Sequence, residues 1–88
     1  MTVTVRLTYD MSKALGTKTL EIDQAATVRD AIEATRERFE RSGDPDFEKL
    51  SRVAAVAVNG VLMRYRKGLR TPLSDGDTVA FVKASAGG

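Results

Sequence analysis

Only one stretch of this chain carries a sustained helical period, and it stands between segments whose apolar residues alternate. Val28, Ala31, Ile32, Thr35 and Phe39 fall on one helical face, while Arg29, Glu33, Glu37 and Glu40 point elsewhere, the pattern of a helix with one buried stripe. Thr27 followed by Asp30 is a capping-box pattern with the shorter Asp in place of Glu or Gln, so the helix is expected from Val28 to about Arg41. Before it, Val3, Val5 and Leu7 alternate with Thr4, Arg6 and Thr8, and Leu20 and Ile22 resume the alternation. These are two strands with one face buried, forming an antiparallel hairpin whose long connection, Asp10 to Gly16, reads as a loop.

Beyond the helix, Ser42-Gly43-Asp44-Pro45 is a stop, and Asp44 and Pro45 at cap and first-turn positions start one short helical turn through Phe47 and Leu50. Ala54 to Val58 is a continuous apolar run bounded by Asn59-Gly60, which predicts a central strand ending in a tight turn. Val61 to Tyr65 is expected as a short edge strand, Thr71 to Asp77 as turn chemistry, and Thr78 to Lys83 as the last strand. This order gives an α+β fold, a mixed four- to five-stranded sheet with one main helix packed across one face. A right-handed crossover then sets the first and last strands side by side and parallel. The predicted core includes Val5, Leu7, Leu20, Ile32, Val56, Val58, Val79 and Phe81, and the folded domain spans residues 1–83, followed by a small-residue tail over 84–88.

At 88 residues there is room for one core only. Hydrophobic residues at 42% with charged residues at 30% are a globular balance, too apolar for a disordered segment. The net charge of +2 is too small for a nucleic-acid footprint. Arg64, Arg66, Lys67 and Arg70 do gather, a grouping usual for a solvated loop, but two Tyr and three Phe are too few to build a base-stacking platform. Cys and His are both absent. That removes disulfides, thiolate nucleophiles, Cys and His metal sites and every imidazole-dependent triad. Asp75 and Asp77 flank a glycine, where carboxylates more often shape backbone than move protons. The N-terminal residues show no long apolar run, so neither a signal peptide nor a membrane span is expected, and the reading is a cytoplasmic protein that is not an enzyme.

The same element order, together with Val58-Asn59-Gly60, Leu73-Ser74-Asp75-Gly76-Asp77-Thr78-Val79-Ala80-Phe81 and the terminal Ala86-Gly87-Gly88, resembles the ubiquitin-like β-grasp sulfur carriers. Within them the chain is most similar to the small subunit of molybdopterin synthase, and next to the thiamine-pathway sulfur carrier. The similarity covers essentially the whole chain. It departs from the synthase subunits at Val82-Lys83-Ala84-Ser85, where relatives often carry prolines.

The resemblance implies a chemistry located at the chain end. An α-carboxylate is ionised at neutral pH and is a poor electrophile, so it must be activated. A ubiquitin-activating-type (E1-like) adenylyltransferase and sulfurtransferase is implied, using ATP and magnesium to form an acyl-adenylate on Gly88. A persulfide sulfur then attacks to leave a thiocarboxylate. The carrier binds no cofactor of its own. Gly87 and Gly88 lack Cβ atoms, so with Ala86 they keep the tail thin enough to thread a narrow channel. By alternation Arg6, Thr8, Leu62 and Val82 fall on the outward face beside the tail, and the resemblance implies that this face docks partners. Those partners are the activating enzyme and a larger sulfur-acceptor enzyme such as a molybdopterin synthase large subunit, with neither nucleic acid nor membrane involved.

Three classes of function remain in view. A sulfur carrier ends in a thiocarboxylate donated to molybdopterin synthesis, or alternatively to a thiamine, cysteine, transfer RNA or secondary-metabolite pathway. A protein modifier ends in an isopeptide bond between Gly88 and a lysine. A plain interaction domain needs neither terminal glycine.

Overall fold

The structure is a computed structural model in which residues 2–63 and 67–83 are described. The strands are β1 (Thr2–Arg6), β2 (Thr19–Asp23), β3 (Ala54–Val58), β4 (Val61–Leu62) and β5 (Thr78–Lys83). The helices are α1 (Tyr9–Leu15), α2 (Val28–Arg41) and α3 (Phe47–Arg52), and a 3-10 turn spans Gly68–Arg70. One five-stranded sheet runs in the order β2-β1-β5-β3-β4. The parallel β1 and β5 are flanked by antiparallel partners on both sides. β3 is an interior strand, as its continuous apolar run implied, but β5 holds the centre.

The alternation of each strand decides what lies inside. Val3, Val5, Leu20, Ile22, Val56, Val58, Val79 and Phe81 are all buried against the helical layer. α2 contributes Val28, Ala31, Thr35 and Phe39 to the same core. Its bounds are those expected, and the capping box is present in both directions: the Thr27 hydroxyl accepts from the Asp30 amide, and the Asp30 carboxylate accepts from the Thr27 amide at 3.1 Å. Leu7 and Ile32, expected in the core, are half-buried and pack against its margin. α3 starts later than the Asp44-Pro45 signal suggested, because Asp44 turns inward on its own loop and accepts from the Asp46 amide at 2.9 Å.

The segment read as a loop from Asp10 to Gly16 is instead helix α1. The Thr8 hydroxyl caps it by accepting from the Met11 amide at 3.1 Å. Gly16, at φ 75°, ends it in the left-handed conformation that costs a residue without Cβ least, and its amide donates to the Ser12 carbonyl at 2.8 Å. Met11 is fully buried in the core cluster. Burial of this one side chain and the two caps outweigh the poor intrinsic stability of so short a helix. The stretch read as turn chemistry also does more than turn: Leu73 and Thr71 are buried, strapped to the start of α2 by bonds from Leu73 N to Ala26 O and from Val28 N to Thr71 O.

Candidate functional site: the open sheet face and the end of the central strand

Among the described residues all three helices lie on one side of the sheet, and none covers the other. Its two halves differ in chemistry. Toward β2 it is polar, with Thr2 and Thr4 hydroxyls donating to the Asp23 and Glu21 carboxylates. Toward β4 it is apolar and low. Ala57 pairs across to Leu62 on one side and Ala80 on the other, and Ala55 pairs to Val82. Alanines at these positions leave a shallow depression whose floor is Ala57 and Ala80 and whose walls include Arg6, Leu62 and Val82. Leu62 is half-buried, and Val82 and Arg6 are exposed.

The structure thus brings three of the four expected docking residues, Arg6, Leu62 and Val82, to one depression. Thr8 stands on the far side of Val82, in a separate groove with Tyr9, Leu50 and Val53, and its hydroxyl is engaged as the α1 cap. Tyr9 and Val53 were not singled out from the sequence. A signal for Tyr9 existed in the Thr8 cap followed by Met11, Ala14 and Leu15 at helical spacing and Gly16 behind them. Gly88, Gly87 and Ala86 lie outside the described residues. The last described residue is Lys83, the end of the central strand and an exposed member of the Thr8 groove.

The acidic loop before β5 is a scaffold. Asp75 Oδ1 accepts from the Thr2 amide at 2.8 Å, Asp77 Oδ2 from the Ser74 amide at 2.8 Å, and Asp77 Oδ1 from the Asn59 side-chain amide at 3.0 Å. These carboxylates join the starts of β1 and β5 to the β3–β4 turn, where Asn59 and Gly60 both have positive φ as a tight hairpin requires. Among the described residues no group of three or more carboxylate, Cys or His side chains is placed to hold a metal ion, and no helix is long and apolar enough to cross a membrane.

A mixed sheet that wraps one long helix, with its first and last strands parallel at the centre, defines a ubiquitin-like β-grasp protein. The family model of the ThiS family matches residues 5–88, nearly the entire chain. The chain belongs to the ThiS family, within the ubiquitin-like sulfur carriers. Among solved structures it is similar to small archaeal modifier protein 1 from Methanosarcina acetivorans, at 24% identity and a TM-score of 0.77 over 99% of this chain and 96% of that one. It is similar to a putative molybdopterin converting factor, subunit 1, from Pyrococcus furiosus, at 25% identity and a TM-score of 0.72 over 97% and 99% of the two chains. A chain of the Amycolatopsis orientalis BexX/CysO complex matches at 31% identity and a TM-score of 0.71, over 98% of this chain and 99% of that one. No curated protein sequence matches.

Proposed function

We propose that this protein is a sulfur carrier whose Gly88 carboxylate is adenylated by a ubiquitin-activating-type enzyme and converted to a thiocarboxylate that donates its sulfur in biosynthesis. The observation that carries the reading is the match to the ThiS family over residues 5–88, on a β-grasp body. The carboxylate contributes the reacting group, the thin Ala86-Gly87-Gly88 end lets it enter a confined site, and ATP and magnesium belong to the activating partner. The bare depression between Arg6, Leu62 and Val82 supports docking of that partner beside the tail.

For the acceptor, similarity to the Pyrococcus furiosus protein supports molybdopterin synthesis, with a synthase large subunit as partner. The higher identity to the Amycolatopsis orientalis chain favours a second reading, in which a different acceptor enzyme takes the sulfur. ATP-dependent adenylate formation on the parent and on a variant lacking Gly88 tests the carrier step. Loss of adenylate in the truncated protein, with an unchanged melting curve, is the expected result. Adenylation of the truncated protein at the parent rate overturns it. Supplying the thiocarboxylated protein to a molybdopterin synthase large subunit and its pterin substrate separates the two acceptors.

A further inference from the structure

The three most exposed large apolar side chains among the described residues are Tyr9 at 74%, Val53 at 52% and Val82 at 46%. They come from the start of α1, the end of α3 and the end of β5, yet all three line one groove, together with Leu50, Phe81 and Lys83. Scattered apolar residues on a surface need no explanation, but a cluster of the most exposed ones from three elements does. The groove, about 250 Å³, falls below the ~300–1,000 Å³ of small-molecule pockets and suits a partner's side chain better than a metabolite. The Lys13 ammonium stands 5.4 Å from the Tyr9 ring centroid, within cation–π range.

We infer that this groove is a second docking surface for the activating enzyme, which seats an apolar side chain against Tyr9, Val53 and Val82 while it holds the tail. The inference rests on the carrier reading above. Five residues separate Lys83 from the carboxylate of Gly88, and five residues span at most about 18 Å. An enzyme that binds the carboxylate is therefore brought against the body around Lys83. Val82 lines both the sheet-face depression and this groove, so the footprint is continuous and wraps around the end of β5. Asp10 and Lys83 give the rim one charge of each sign, so apolar contact, and not steering, is what the groove adds.

The test uses Tyr9→Ser, Val53→Ser and the double variant in steady-state adenylation by the ubiquitin-activating-type enzyme of the same organism. Leu69→Ser serves as a control, since Leu69 is 40% exposed on the 3-10 turn that packs against α2. Each groove variant is expected to raise the KM for the carrier by about fivefold to tenfold, the range of a truncated interface anchor. The kcat and the melting curve stay at parent values, and Leu69→Ser changes nothing. A double variant with parental KM, alongside a Gly88 deletion that abolishes adenylation, overturns the groove assignment and leaves the carrier reading standing. Adenylation that survives the Gly88 deletion overturns both.

Discussion

Asn59 is bonded through its side chain to Asp77, eighteen residues away: Asn59 Nδ2 donates to Asp77 Oδ1 at 3.0 Å. The same side chain accepts from the Thr78 amide through Oδ1 at 2.9 Å, and the Asn59 amide donates to the Thr78 carbonyl. The β3–β4 turn is thereby fixed to the start of the central strand, which sets the height of Leu62 beside Ala57 and Ala80 on the open face.

Two substitutions separate the bonding role of Asn59 from its backbone role. Asn59→Gly keeps the φ of 49° accessible and loses only the side-chain bonds, for an expected cost of about 1–2 kcal/mol. Asn59→Ala loses the same bonds and adds the strain of a left-handed Ala, so it is expected to cost about 1 kcal/mol more. Urea unfolding of both variants checks the order; equal stabilities contradict the strained-turn account.

Phe47 joins the helical layer to the sheet. Its ring centroid lies 5.2 Å from Phe39 of α2 and 6.2 Å from Phe81 of β5, and Arg36 of α2 lies over its ring and pairs with Glu48. Phe47→Ala is expected to cost about 3–5 kcal/mol, with the amide protons of α3 exchanging before those of α2. Arg36→Ala removes a surface ion pair and is expected to cost about 1 kcal/mol or less. A larger loss for Arg36 than for Phe47 in denaturant unfolding contradicts this ranking.

Thr8 stabilises α1 through its hydroxyl. Thr8→Ala is expected to lower stability by about 1 kcal/mol and Thr8→Ser to restore it, read by thermal or urea melting. Stability unaffected by Thr8→Ala would show that α1 does not depend on its cap.

Val82→Asp addresses the docking face. Val82 is exposed and its cross-strand partner on the outer face is Ala55, so folding should change by no more than about 0.5 kcal/mol. A charge desolvated against the activating enzyme without a partner is expected to weaken binding at least about tenfold. Calorimetric titration of the enzyme with parent and variant decides it, and equal affinities remove Val82 from the interface.

The elements visible in the sequence were those whose period extended over enough residues to be unambiguous. Fourteen residues of α2 display four turns of pattern and a capping box, and the period-two runs of β1, β2 and β5 fixed which side chains face the core. α1 escaped because its seven residues show too few turns, and because Thr8 also fitted the outward phase of the preceding strand. Alternation assigns Arg6, Thr8 and Val82 to the outward face, whereas the meeting of Arg6, Leu62 and Val82 without Thr8 in one depression follows from the strand order. The Tyr9–Val53–Val82 groove was not legible, because it joins two helix ends to a strand end and no local period spans those elements. Thr71 and Leu73 were hidden for a similar reason: turn composition says nothing of what a turn is strapped to.

The sulfur-carrying role of Gly88 is tested most directly by the intact mass of the protein after incubation with the activating enzyme, ATP, magnesium, a persulfide donor and a thiol reductant, which cleaves the acyl disulfide formed when the persulfide displaces AMP. Exchange of one oxygen for sulfur is predicted, confined by fragmentation to Gly88, dependent on ATP and absent from the variant lacking Gly88. A mass that stays at the carboxylate value while the enzyme forms adenylate on the protein, with Gly88 instead found joined to lysines of other proteins, contradicts the carrier account and identifies a modifier.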